Sequence, residues 1–142
     1  MNKKNSFLFK SISALLLISL LYYYFSNSKN IKSLPSNFII KSIDLASSYA
    51  LDEKKADSLY INKIIKVYGN VKEISYLNNR NTVILLGSSP TSSVICDLNK
   101  NELNKLNQLK TNQTVYIKGI CKGYLNDVIL LNCYIDTIKN DE

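Results

Sequence analysis

From Ile64 onward apolar and polar residues alternate with a period of two, upstream of it they recur every three or four, and at the amino end they run together unbroken. In IIKVYGNVKEI, Ile65, Val67, Gly69 and Val71 share one face and Lys66, Tyr68, Asn70 and Lys72 the other, which predicts a strand with one buried side. Gly69 in mid-strand predicts a bulge or bend. The asparagine-rich turn YLNNRN leads to a second strand, TVILLG, and the loop SSPTS to a third, SVICDL. Asn99 and Glu102 stand three apart as in a capping box, and Leu103, Leu106 and Leu109 mark a short helix ending near Lys110. KTNQ reads as a turn; its Asn112-Gln113-Thr114 formally matches a glycosylation acceptor, but a turn suffices to explain it. VYIKGICK and DVILLNCYIDTI, joined through Gly123 to Asn126, complete the set. Three strands, a helix and two strands are the order of an OB-fold, so the spacing predicts a mainly β, five-stranded Greek-key barrel over residues 61–138, with a helix between its third and fourth strands.

Ahead of the barrel the period is helical. Pro35 suits a first turn, and Phe38, Ser42, Leu45 and Tyr49 recur at three or four residues, widened by Ala46 and Ala50. A second piece, Glu53 to Tyr60, continues beyond a bend near Asp52. Residues 34–60 are therefore expected to be a helical lead lying against the barrel, preceded by a polar linker over 26–33.

The amino end is a membrane address. Ser11 to Phe25 carries no charge, and including Phe7 to Lys10 gives 19 residues. Such a helix is about 28 Å long at roughly 1.5 Å per residue, close to the ~30 Å core of a bilayer, with Lys10 snorkelling. Residues 1–25 are thus expected to form a transmembrane anchor. The alternative is a cleaved signal peptide with Ser26 and Ser28 near the cut, which would leave the rest secreted. Tyr22, Tyr23, Tyr24 and Phe25 are bulky where cleavage prefers small residues, and suit an aromatic belt. In either case Lys3, Lys4 and Lys10 outweigh Lys29 and Lys32, which keeps the amino end cytoplasmic and exports the barrel to the periplasm or cell exterior.

Charge changes the picture only through its location. The formal net charge is +7. Residues 1–32 hold five lysines and no acid, so the remaining 13 basic and 11 acidic residues leave the body of the chain nearly neutral. A phosphate-tracking groove lacks support, and nucleic acid is not the expected partner. The chain has no histidine, which removes the commonest general base and zinc ligand. Its three cysteines have no CxxC spacing, so no metal site is expected, and no cofactor motif is present. Thr82, Ser88, Ser89, Ser92, Asp97 and Asp127 do not combine into a nucleophile with its base, so no enzymatic activity is expected.

Alternation places all three thiols inward: Cys96 with Val94, Cys121 with Val115, Ile117 and Gly119, and Cys133 with Ile129, Leu131 and Ile135. Buried cysteines act as small hydrophobes. With the turn centred on Leu125, Cys121 and Cys133 are offset by about four residues, some 13 Å, too far to bridge. Cys96 and Cys133 lie on strands that neighbour in such a barrel and are the candidate disulfide pair.

The run ADSLYINKIIKVYGNV, then VIC, then VYIKGICKGYLNDVILLNCYI resembles the tRNA_anti-like family of bacterial OB-fold proteins, often found behind an amino-terminal anchor or signal. Ala56, Tyr60, Lys63, Val67, Gly69 and Val71, then Cys96, then Gly119, Cys121, Gly123, Asp127, Val128, Leu130 and Cys133 carry the resemblance over about residues 50–136. It implies an OB-fold. The name records similarity to the anticodon-binding domains of synthetases, and assigns no binding or catalytic residue to these positions.

The expected function is a non-catalytic, membrane-tethered binding module for an unknown ligand. Nucleic-acid binding and a structural role as adaptor to an envelope protein are the alternatives. The usual docking face of an OB-fold spans its second and third strands and the flanking loops. Here that points to Tyr76, Asn78, Asn79, Arg80, Lys122 and Tyr124, where tyrosine and arginine can stack and hydrogen-bond.

Overall fold

The five period-two segments form the five strands of the barrel, and a sixth strand precedes them. In the computed structural model, which describes residues 15–20 and 30–138, they are β1 (Phe38–Lys41), β2 (Ile64–Ser75), β3 (Thr82–Leu86), β4 (Ser93–Leu98), β5 (Thr114–Leu125) and β6 (Asp127–Ile138). β2, β3 and β4 pair antiparallel in succession, β4 runs parallel to β6, β6 pairs antiparallel with β5, and β5 returns to β2. The ring is closed, the OB arrangement. Val67, Val83, Leu85, Val94, Cys96, Ile117, Leu130 and Cys133 fill it, all fully buried.

β1 corrects the reading of residues 34–41 as helix. Phe38 to Lys41 pairs parallel with Ile65 to Tyr68 of β2. β3 pairs only with the second half of β2, from Val71 to Ser75. The first half thus offers an open edge, and Phe-Ile-Ile, β-branched and aromatic, fills it more readily than it forms an isolated turn of helix. Phe38 then meets Tyr60 edge-on, with ring centres 5.2 Å apart.

The helical period holds from Ser42. α1 (Ser42–Leu51) and α2 (Glu53–Tyr60) are separated at Asp52, whose side chain accepts from the Lys55 N–H at 3.0 Å and so caps α2. Leu45, Ala46 and Tyr49 of α1 and Ala56 and Tyr60 of α2 join the barrel core. Ser42 enters beside Gly69, where a Cβ would stand 2.1 Å from the Ser42 Oγ, and donates to the Leu86 carbonyl at 2.6 Å. Gly69 is therefore needed for the close approach of α1. It also sits where β2 hands its pairing from β5 to β3.

The other end of the barrel is covered by a 3-10 turn, Lys100–Glu102, and α3 (Leu103–Leu106), with Leu106 and Leu109 buried. Asn99 caps by accepting from the Asn101 N–H, but Glu102 does not complete a capping box. It turns inward, 2% exposed, and accepts from the Ile135 N–H at 3.1 Å, satisfying β6 where β4 has ended.

Residues 31–33, expected as linker, form a 3-10 turn with Ile31 buried. Most of the expected transmembrane helix lies outside the described residues; 15–20 are helical, and no helix among the described residues is long and apolar enough to cross a membrane.

Candidate ligand face

Strand pleating decides what the docking face presents. On β3, Val83 and Leu85 point inward, which leaves Thr82, Ile84 and Leu86 outward; on β4, Val94, Cys96 and Leu98 point inward, which leaves Ser93, Ile95 and Asp97. The register sets Ile84 opposite Ile95, and Ile95 beside Ile129 of β6. Three half-buried isoleucines thus form a row across the outside of the barrel.

The six residues picked from the sequence flank this row in two groups. Tyr76, Asn78, Asn79 and Arg80 occupy the turn before β3, all exposed. Asn78 and Asn79 take left-handed φ values of 55° and 58°, which asparagine tolerates. Arg80 Nη1 lies 3.8 Å from Asp97 Oδ2 on β4. Lys122 and Tyr124 belong to the β5–β6 hairpin, whose tip meets the opposite end of β4, with Val94 beside Val128. Val94 and Asp97 are three residues apart, about 10 Å along a strand, so the structure does not gather the six into one cluster. Lys122 donates to Asn62 Oδ1 at 2.8 Å, bracing the entry to β2. The Tyr124 ring stacks on Tyr49, 5.6 Å between centres and 14° from parallel.

Tyr124 also lines a shallow cleft of about 370 Å³ with Ala50, Ser88, Ser89, Thr91, Ser92 and Asn126. The serine loop is held by its own hydroxyls: the Ser89 N–H donates to Ser92 Oγ at 2.9 Å, and Ser88 and Ser92 meet at 3.3 Å. The candidate face therefore has an aliphatic centre, an ion pair at one end and a hydroxyl-lined cleft at the other. Sequence reasoning missed Ile84, Ile95 and Ile129. For Ile84 and Ile95 the signal was available, since the period that buries Val83 and Cys96 leaves them outside; Ile129 and Leu131 were expected inside with Cys133, and a break in the alternation at Asn132, where φ is 54°, puts Val128 and Leu130 inside in their place.

The thiols are in the interior. Cys96, Cys121 and Cys133 are free and buried. Cys133 is hydrogen-bonded to Cys96, and burial first, then that neighbour, push its thiol well above the usual range. Tyr49 O–H and Cys121 Sγ are 3.4 Å apart; burial, reinforced by this contact, pushes the tyrosine above its ordinary value too. Such thiols are poor nucleophiles. Among the described residues no three His, Cys, Asp or Glu side chains gather as a metal site would need.

The residues that carry the family resemblance concentrate where the lead meets the barrel. The Asn62 N–H donates to the Cys121 carbonyl at 2.8 Å and the Cys121 N–H to the Lys63 carbonyl at 3.0 Å. Gly123 takes φ +105°, a backbone conformation that favours glycine, beside Asp57 and Ile61, 3.6 and 3.8 Å from where a Cβ would be. A closed five-stranded barrel with these connections defines an OB-fold domain. The chain matches the tRNA_anti-like family over residues 6–135 and belongs to it.

Among solved structures the chain is similar to a Klebsiella pneumoniae lipoprotein for which nucleic-acid binding is proposed, at 17% identity and TM-score 0.56, over 69% of this chain and 91% of that one. It is also similar to the S. pombe Stn1–Ten1 complex, at 10% identity and TM-score 0.45, over 55% and 59% of the two chains. A further similarity is to the asparaginyl-tRNA synthetase of Entamoeba histolytica, at 14% and 0.41, over 56% and 22%. At 17% identity the likeness to the Klebsiella lipoprotein shows the fold alone. No curated protein matches the chain.

Proposed function

We propose that this protein is a non-catalytic adaptor, tethered to a membrane by its amino-terminal segment and exported, which binds a polypeptide on the outward face of β3 and β4. The row Ile84–Ile95–Ile129 carries this reading. Aliphatic side chains in register suit burial against the side chains of a protein partner, with Arg80, Asp97 and the serine loop as the polar rim. A single-strand nucleic-acid platform uses aromatic rings at such positions and free cations beside them; here the positions are isoleucine, and Arg80 faces Asp97. The hydroxyls of Ser88, Ser89, Thr91 and Ser92 bond to one another and to backbone, and the neighbouring Lys72 ammonium donates to the Pro90 carbonyl and to Ser93 Oγ rather than accepting a proton from one of them.

Nucleic-acid binding is the second reading, favoured by the proposal made for the Klebsiella lipoprotein and by the exposed Tyr76 and Arg80. The test is recovery of cross-linked partners from membranes by full-length protein carrying a photoreactive side chain at position 84, beside a control at Thr137. A discrete protein adduct at 84 alone, lost in Ile95→Glu at unchanged thermal stability, is expected. Single-stranded DNA binding that weakens steeply with salt, with no protein adduct, overturns the adaptor reading and establishes the second.

A further inference from the structure

The chain leaves the folded unit at a defined and basic place. Ile31 is buried, the Lys118 ammonium donates to the carbonyls of Lys32 and Leu34 at 3.0 and 2.9 Å, and Lys32 Nζ stands 3.4 Å from Glu102 and 5.9 Å from the centre of the Tyr134 ring. Residues 31–138 belong to one compact unit, so only residues 26–30 lie between it and Phe25, where the apolar run ends. Five residues reach at most about 17 Å, roughly two Debye lengths at physiological salt.

Four lysines gather around this exit, Lys32, Lys66, Lys105 and Lys118. Among the described residues the acids beside them are Glu102, which faces Lys32 and Lys105, and Asp136, which is paired with Lys66. The acids offset two of the four charges. Beside them Leu34 is 38% exposed. In the ring of strands β5 neighbours β2 and β6, which puts Lys118 across the barrel from β3 and β4.

We propose that this β5-side surface, formed by Lys32, Lys105, Lys118 and Leu34, docks on anionic lipid headgroups and so turns the β3–β4 ligand face away from the membrane. The inference rests on the tether reading above. A short leash holds the exit point near the bilayer, surplus lysines near anionic lipid contribute attraction, and an exposed leucine adds apolar contact. The free energy gained through the leash is mostly a matter of effective concentration, so weak contacts suffice to fix the orientation.

The test is acylation footprinting of the full-length chain reconstituted in vesicles of phosphatidylcholine alone or mixed with phosphatidylglycerol, read by mass spectrometry. Lys32, Lys105 and Lys118 are expected to lose reactivity severalfold on the mixed vesicles relative to the neutral ones, while Lys54 on α2 and Lys72 on β2 do not change. In Lys105→Gln the protection of Lys32 is expected to weaken. Equal reactivity on both vesicle types, or protection of Lys54 and Lys72 instead, overturns the docking surface while the tether stands. A chain that does not float with either vesicle removes the tether and, with it, this inference.

Discussion

At the scale of single residues, Gly119 and Cys133 show how the family's glycine and cysteine spacing works. A Cβ on Gly119 would lie 2.4 Å from the Cys133 sulfur, so the thiol occupies space that the missing side chain leaves. Gly119→Ala is expected to cost about 1–3 kcal/mol. The loss in the double variant with Cys133→Ala should fall short of the sum of the single losses by about 1 kcal/mol or more, measured by urea unfolding. Alternation shows from sequence that both positions face inward. It does not show that they face each other, because irregularities in the β5–β6 pairing set that register. Asp136 carries a second expectation. Its hydrogen bond to Lys66, more than the nearby Lys118 and Lys105, holds its carboxyl below the usual range. A depressed folded value stabilises above the unfolded value, near 3.9, and that share is lost as pH falls through the folded one. With the side chain 41% exposed, solvent screening keeps the effect below about 1 kcal/mol. Asp136→Asn should therefore lower stability slightly at neutral pH and flatten the fall below about pH 4, seen in urea midpoints against pH.

Among the elements, the helical lead is structural. α1 places Leu45, Ala46 and Tyr49 in the barrel core, whereas Ile39 of β1 is 65% exposed. Leu45→Ala is expected to destabilise by about 2–5 kcal/mol and Ile39→Ala by no more than about 0.5 kcal/mol, a contrast read from paired denaturation curves. The barrel strands and both lead helices from Ser42 were legible as elements from their hydrophobic periods, but the inner face of β6 was not, because its alternation breaks at Asn132. β1 was not, because its identity comes from an open edge of β2 that exists only once β3 has paired with the other half of that strand. Glu102 eluded the reading for the same kind of reason: spacing makes it a capping residue, but the end of β4 leaves the Ile135 amide unpaired beside it, and a buried donor takes the nearest acceptor.

For the molecule as a whole, the even hand of the charge distribution separates the two readings of function. Residues 31–142 carry fourteen Lys and Arg against eleven Asp and Glu; among the described residues Lys32, Lys66, Lys105 and Lys118 stand on the β5 side with Glu102 and Asp136, while Arg80, beside Asp97, and Lys72, bonded to Pro90 and Ser93, border the β3–β4 face. Ile84→Glu is accordingly expected to abolish partner capture with little change in thermal midpoint, while Arg80→Ala produces only a small loss, both scored by adduct yield against melting temperature. Periodicity alone determined where the five barrel strands fall along the chain and that the thiols are buried, because inside and outside are local properties of a pleat or a helix turn; it did not give the inner face of β6, where the break at Asn132 exchanges Ile129 and Leu131 for Val128 and Leu130. Tertiary structure alone decided that β1 is a strand, that Tyr76 to Arg80 and Lys122 to Tyr124 stand at opposite ends of β4, and that three isoleucines from three strands make one row. Those facts depend on register between segments distant in the chain, and register is set by closure of the barrel rather than by any one stretch of sequence.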